Sequence, residues 1–442
     1  MKGTEVQFTH AKPGIGKSLF ALFLMLATPT SAMLIWYTLF HLDGSITALF
    51  HAFVDKGPME VFQKAWFDHF WGSVTAWKIL GIYIPIQILM MKVLPGKPYE
   101  GPVTPMGNVP KYKDNGLLSF VLSIGLFLGA SEGMGWFPAS IMYETMGELL
   151  AALNIFALTF CLMLYFKGRF APSSTDSSTS GNVIFDYYWG TELYPRFWGI
   201  DVKMLTNCRI GMTGWALAAI SFAFAQKELI GHFDPAQLVT SGLLVMYLTK
   251  FYIWESGYMR STDIITDRAG YYICWGCLVW VPAVYSSPAF FMVGHHVILP
   301  AWAAVVIFIF GAISIWMNYW ADYQRQAFRK ANGKINIWGK PATFIKAKYV
   351  TGAGEEKENL LLTSGFWGLA RHFHYIPELA AAAFWSCTAG LGWFLPWFYF
   401  LFLCILLVQR TYRDDEKCQA KYGEYWKLYK EKVKYRLIPG LF

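Results

Sequence analysis

The sequence predicts an all-α, polytopic membrane protein of about ten transmembrane helices, and three observations carry that prediction. Hydrophobic residues make up 55% of the 442 residues and charged residues only 15%, whereas about a quarter of an average soluble domain is charged. The apolar residues gather in runs of about twenty, the length that crosses a bilayer as a helix. The lysines and arginines collect on one side of those runs, as they do in proteins oriented by the positive-inside rule.

In chain order the runs are residues 18–42, 73–93, 116–143, 147–166, 210–226, 236–256, 270–293, 297–320, 376–391 and 393–409, the ninth being short. Segment 43–72 is amphipathic and is expected to lie on the membrane surface or to re-enter. With both ends of the chain placed in the cytosol, all but six of the 37 Lys and Arg residues face it. The exceptions are Lys56, Lys64 and Lys227 on the far side, and Lys78, Lys250 and Arg371 in or beside spans. This asymmetry accounts for the net charge of +8 without any nucleic-acid partner. Residues 1–17 are polar and read as a short cytosolic N-terminus, and they do not fit a secretory signal. PSSTDSSTSGN (172–182) reads as a flexible loop.

The chain reads as a single integral membrane domain over 1–442: eight spans over 18–320, then the last two spans with a cytosolic loop and tail over 321–442. The seven cysteines are odd in number and lie mostly in apolar segments, which is no disulfide framework. Cys274-Trp-Gly-Cys277 lacks the second pair that a structural zinc needs, so no metal site is expected.

The two largest polar segments, 321–360 and 410–442, flank the last helical hairpin on the cytosolic side, and a pocket between them is expected there. No G-x-G-x-x-G after a strand, no phosphate-binding P-loop and no H-E-x-x-H occurs. In ADYQRQAFRKANGK (321–334), Arg325 and Arg329 are four apart on one helical face. They suit either lipid headgroups or the phosphates of a cofactor. The tail, read as one helix, brings Arg410, Asp414, Cys418, Lys421, Tyr422, Tyr425 and Tyr429 onto one stripe. That stripe is either an interfacial anchor or one wall of a phosphate-bearing cofactor site. LLLTSGFWGLARHFHYIPEL (360–379) places Arg371, His372, His374 and Tyr375 at membrane depth, where ionisable groups carry function by default. Its two histidines at i, i+2 do not share a helix face, which disfavours a metal pair. WESGYMRSTDIITDRAGYYICWG (254–276) interleaves Glu255, Asp263 and Asp267 with Arg260 and Arg268. It is either a salt-bridged loop or the place where an acid or Tyr258 relays a proton. Glu132 and Lys78 are isolated charges able to pair with each other.

Together these motifs resemble the sterol C=C reductases, a family that includes Δ14-reductases, C24(28)-reductases and the membrane domain of the lamin B receptor. The tail matches that family's terminal signature through Arg410, Arg413, Asp414, Cys418, Lys421, Tyr422, Gly423, Trp426 and Tyr429, then Val433, Tyr435, Arg436, Pro439 and Gly440. GPVTPMGNVPKY (101–112), DRAGYYICWGCLVWVP (267–282), FRKANGKINIWG (328–339), SGFWGLARHFHYIPE (364–378) and EKVKYRLIPG (431–440) are similar to the branch of the family that acts at C7=C8, in its plant-type form. The likeness runs from about residue 100 to the end. It implies NADPH-dependent reduction of the C7=C8 bond of a sterol 5,7-diene, by protonation and hydride transfer, in sterol biosynthesis.

The resemblance also implies a cofactor pocket on the cytosolic face, formed by the C-terminal half. Its cofactor positions fall on Arg325, Arg329, Leu362, Trp367, His374, Tyr375, Arg410, Asp414, Cys418, Lys421, Tyr422 and Tyr429, with Gln419 and Ala420 contributing backbone. The candidate proton donors are Tyr258, Glu255, Asp263 and His372. Thr266 stands where relatives often have His, so a histidine relay is not carried to that loop. Arg325 stands where some relatives have Lys. The implied partners are a membrane-embedded sterol and the lipid bilayer, in the endoplasmic reticulum membrane of a eukaryote or the inner membrane of a bacterium, with both termini cytosolic. The alternatives are a Δ14- or C24(28)-reductase and a catalytically inactive sterol-binding scaffold. A methyltransferase is suggested by an R-H-x-x-Y-x-x-E pattern, and the arginine pair disfavours it.

Overall fold

The computed structural model describes residues 13–104, 106–350 and 356–442. They form two compact units, the larger running up to Leu299 and taking in Ala389–Pro396, the smaller comprising Pro300–Thr388 and Trp397–Phe442. Among the described residues nine helices are long and apolar enough to cross a membrane. They are Ile15–His41, Val74–Val93, Gly116–Gly133, Met146–Phe170, Met204–Ile230, Pro235–Ile253, Tyr271–Gly294, Ala301–Lys330 and Leu395–Tyr422. The remaining apolar run, expected at 376–391, is the 13-residue helix Tyr375–Cys387. The run expected as one span over 116–143 is shorter. Its regular helix ends at Leu128, and the glycine-rich GASEG continues it as one wide π-turn, Gly129–Gly133.

The larger unit is organised on Met204–Ile230 and Tyr271–Gly294, its two most buried spans, which pack on each other, and Met146–Phe170 and Ile15–His41 pack against the second of them. Side-chain caps set several helix starts. Asp234 accepts from the amides of Ala236 (2.7 Å) and Gln237 (3.3 Å) just before Pro235, and Ser73 accepts from Ala76 N (3.2 Å) ahead of Val74–Val93. Segment 43–72 forms two short helices, Ile46–Asp55 and Pro58–Ala65. Lys78 and Glu132 are both exposed, and no ion pair joins them.

In the smaller unit, Ala301–Lys330 packs along Tyr375–Cys387. Between them lies a hairpin that the sequence reading did not anticipate. Phe344–Val350 pairs antiparallel with Glu356–Leu362 in a seven-residue register, Phe344 opposite Leu362 and Val350 opposite Glu356. Two apolar clusters hold the unit. One gathers Ala321, Phe328, Ile337, Leu362, Phe366, Trp367, Ala370 and Phe373. The other joins the hairpin to the tail through Ala347, Leu361, Tyr422, Trp426, Tyr429 and Val433.

The tail is not one helix. Leu395–Tyr422 stops at Gly423, whose φ of 52° lies in the left-handed region, and Glu424–Lys432 begins in a new direction. The stripe expected from Arg410 to Tyr429 is therefore split. Arg410, Asp414, Cys418, Lys421 and Tyr422 share the first helix. Tyr429 sits on the second and turns inward, where it is buried.

Candidate cofactor site

The site is built within the smaller unit, from the polar C-terminal end of Ala301–Lys330 outward. Arg325 lies with its guanidinium carbon 3.9 Å from the ring centroid of Trp367. Trp367 is fixed from behind, because its indole N–H donates to Ala321 O at 2.8 Å and the residue is buried. The turn that delivers it depends on Gly365, at φ +64°, where a Cβ would run into the Gln324 amide and Ile337. Gln324 uses that closeness, accepting from Phe366 N at 2.9 Å.

From Trp367 a ladder of rings continues. His374 stacks on it at 5.0 Å, Tyr375 follows His374 at 4.2 Å, and His372 stacks on Tyr375 at 5.6 Å and 15°. Asn318 steadies this turn by donating to His374 O (2.8 Å) and to Glu378 Oε2 (3.0 Å).

The tail forms the facing wall. Asp414 Oδ2 lies 3.1 Å from His372 Nε2 and 3.9 Å from Cys418 Sγ. The other ring nitrogen of His372 is 3.2 Å from Arg436 O, so both nitrogens of this ring face oxygen acceptors. Two protons on the imidazole satisfy that arrangement. Tyr429 donates to Trp367 O at 3.4 Å. Burial pushes its phenol above the ordinary value, partly offset by the positive charges of Arg325, Arg371 and Arg329. Lys421 holds its ammonium 4.1 Å from the ring centroid of Tyr349 on the hairpin, and Asn359 donates to Tyr422 Oη at 2.7 Å. Gln419 is occupied locally, donating to Gly423 O and accepting from Lys430 at 3.1 Å each.

What results is a cradle with cations at its rim and aromatic rings on its floor. The side chain of Arg325 is one-third exposed, and Arg329, Lys421 and Asp414 are exposed. Arg325 and Arg329 stand one helical turn apart, about 5–6 Å in rise. Planar guanidinium forks at that spacing suit a pair of phosphates or a 2′-phosphate, and the half-exposed Asp414 carboxylate suits ribose or amide donors. Leu362 contributes only apolar packing, being 4% exposed within the core cluster. Ala420 is exposed immediately before Lys421, and Arg410 lies one turn before Asp414 on the same helix.

Arg371 has a different task from the one its membrane depth suggested. Its guanidinium donates to Val433 O (2.7 Å) and Lys434 O (2.9 Å), and the backbone amides of Arg371 and His372 donate to Tyr435 O and Arg436 O at 3.0 Å each. Arg436 in turn reaches Asp415 at 3.2 Å, and Trp426 donates to Asp415 at 2.9 Å. The Y-R-x-x-P-G ending is thus clamped beside His372. Residue type alone marked Arg371 as ionisable at depth; only the pairing with tail carbonyls shows it as a positioning residue.

The other three proton-donor candidates lie in the larger unit. Glu255 is wholly buried and paired with Arg209. The second guanidinium nitrogen of Arg209 is 2.9 Å from Glu255 Oε2 and 3.1 Å from Asn115 Oδ1, and Gly116 N donates to the same carboxylate at 2.9 Å. Tyr258 Oη accepts from Asn207 at 2.8 Å, and burial pushes its phenol far above the ordinary value. Asp263 is partly buried, and its carbonyl accepts from Lys203 at 3.2 Å. Lys203 also donates to Ile264 O and Asp267 O, at 2.6 and 2.8 Å, so this buried ammonium is a loop clamp that the sequence did not single out.

Residues 9–442 match the family model described as the ergosterol biosynthesis ERG4/ERG24 family. The chain is 46% identical over 422 residues to a protein of Arabidopsis thaliana named 7-dehydrocholesterol reductase, covering 95% of this chain and 96% of that one. It is 34% identical to a Xenopus laevis protein of the same name, over 83% of this chain and 80% of that one. It is 33% identical to a Delta(14)-sterol reductase of Methylotuvimicrobium alcaliphilum, over 99% of this chain and 97% of that one. With its apolar spans and these matches across nearly its full length, the chain belongs to the ergosterol biosynthesis ERG4/ERG24 family and is an integral membrane sterol reductase, an oxidoreductase of sterol biosynthesis.

Proposed function

We propose that this chain reduces the C7=C8 double bond of a sterol 5,7-diene with NADPH. The observation that carries the choice of bond is the 46% identity, across nearly the whole of both chains, with the Arabidopsis protein named 7-dehydrocholesterol reductase. The residues of the cradle fit the cofactor. Arg325, Arg329 and Lys421 hold its phosphates, and a third phosphate gives the arginine pair a reason to prefer NADPH over NADH. Trp367 and Tyr375 pack against ribose or nicotinamide, and Asp414 accepts from ribose hydroxyls or the amide.

When bound, NADPH supplies a hydride. A sterol C=C bond is not polarised, so a proton must reach one carbon before or with that hydride; in a 5,7-diene the developing cation is allylic. We assign the proton to His372, whose Nε2 shares it with Asp414 while Nδ1 is held on Arg436 O. This is the one candidate donor of the four that lies in the same unit as the cradle. Glu255 is tied up by Arg209 and suits a structural carboxylate better than an acid.

Both termini lie in the cytosol under this proposal, in the endoplasmic reticulum or a bacterial inner membrane, and the distribution of Lys and Arg supports that orientation. The second reading is Δ14 reduction, favoured by the 33% identity with the Methylotuvimicrobium protein over 99% of this chain. Purified protein given NADPH with a 5,7-diene, a Δ8,14-diene or a Δ24(28) sterol separates them by gas chromatography. Consumption of the 5,7-diene is expected. Turnover of the Δ8,14-diene alone would transfer the assignment to the second reading.

A further inference from the structure

The larger unit carries a second basic pocket, remote in sequence from the cradle. It has a volume of about 380 Å³, and its charged lining comes from Lys92, Lys111, Lys113, Arg196, Arg209 and Asp201. Three spans end there. Lys92 is in the last turn of Val74–Val93, Asn115 precedes Gly116–Leu128, and Met204 opens Met204–Ile230. The pocket therefore lies at the depth of span ends, where lipid headgroups sit.

The cations are held in place by backbone. Lys113 donates to Lys92 O (2.7 Å) and Leu94 O (3.3 Å), and Arg196 donates to Lys111 O (2.6 Å) and Gly199 O (3.0 Å). Arg209, 1% exposed, gives its terminal nitrogens to Glu255 and Asn115, while its buried Nε has no hydrogen-bond partner among the described residues. The Tyr112 hydroxyl on the same wall is likewise buried and unpartnered. The one lining carboxylate, Asp201, caps Met204 N at 3.0 Å and faces Arg196 at 3.9 Å, so it does not neutralise the lysines.

Beside the pocket the tight turn between Arg196–Phe197 and Ile200–Asp201 carries Trp198 at its tip. Trp198 is 81% exposed and sits at φ +49°, a backbone state that a bulky residue occupies at a cost. Its ring lies 5.9 Å from the Lys92 ammonium. An exposed tryptophan beside lysines at a span end is the chemistry of an interfacial anchor.

We propose that this pocket binds a phosphate-bearing anion, the headgroup of an acidic phospholipid, with Lys92 and Lys111 as the exposed contacts, Arg196 and Arg209 behind them and Trp198 inserted at headgroup level. The test uses the full-length purified protein and the variant Lys92→Gln/Lys111→Gln, both side chains being exposed and outside the cofactor cradle. Retained lipid is read by native mass spectrometry after exchange into mixed phosphatidylglycerol and phosphatidylcholine micelles, in parallel with thermal protection by inorganic phosphate. Selective retention of phosphatidylglycerol is expected, falling about fivefold for each charge removed, with phosphatidylcholine unchanged. Protection by inorganic phosphate alone, lost in the variant, would keep the anion site and name free phosphate as its source. Equal retention of both lipids, or phosphatidylglycerol retention that survives in the double variant and in Trp198→Ala with no effect of phosphate, overturns the proposal.

Discussion

Two arginine–carboxylate clusters in this molecule look alike in sequence and behave in opposite ways. In the larger unit Arg209 and Glu255 are both buried, and Asn115 and the Gly116 amide take up further bonding capacity. In the smaller unit Arg325, Arg329 and Asp414 leave part of their charge uncovered, and Asp414 shares only one oxygen with His372. A closed pair spends its electrostatics on the fold, because each partner offsets the other's desolvation. An open one keeps hydrogen-bonding capacity for a ligand. Solvent exposure, rather than membrane depth or residue type, distinguishes the closed ion pair from the proposed cradle here.

The comparison breaks most sharply at Glu255. Glu255→Gln strands the Arg209 charge and is expected to cost about 3–5 kcal/mol of stability, seen as a large fall in thermal midpoint in detergent. Replacing Arg209 and Glu255 together with methionines should recover most of that loss. Undiminished stability with lost turnover would instead make Glu255 a catalytic acid. The next largest effect belongs to His372→Gln, expected to lower kcat by about 10²-fold or more with little change in NADPH affinity. A variant that loses cofactor binding and keeps kcat would remove the proton assignment.

Arg329→Ala follows, with NADPH affinity expected to fall about ten- to a hundredfold, as for a charge-assisted bond worth about 1.5–3 kcal/mol, and with the thermal midpoint of the unliganded protein nearly unchanged. Isothermal titration with NADPH and NADH checks it, and a loss confined to NADPH would place this side chain on the 2′-phosphate. Smallest is Tyr422→Phe. It removes only the bond from Asn359 and should cost about 0.5–1.5 kcal/mol in stability.

The spans were legible because a bilayer imposes length and apolarity on every crossing segment, and these are properties of a window of sequence. The run read as 73–93 falls within a residue of its helix at both ends, and the one read as 236–256 starts within a residue of its helix and overruns its end by three. The polar cradle was legible in part. Arg325 and Arg329 share a face by spacing alone, and they do share one. Tyr429 was assigned to the same stripe as Asp414, and there the helical period misled, since Gly423 turns the chain between them. The hairpin of Phe344–Val350 and Glu356–Leu362 was missed although FIKAKYV partly alternates, because one strand has no meaning until its partner and its apolar face are known.

The sequence by itself determined that this chain lives in a membrane, where most of its long apolar helices run, and that many of its cations gather into two late polar segments. Those are consequences of composition and period. Tertiary structure alone decided which of the charges are spent and which remain open. Arg371 binds tail carbonyls, Lys203 binds a loop, Glu255 is consumed by Arg209, and Arg325, one-third exposed, rests on Trp367 with Asp322 3.4 Å from one of its nitrogens. The physical reason is that a side chain's chemistry is set by what removes water from it. Those neighbours come from residues tens to hundreds of positions away.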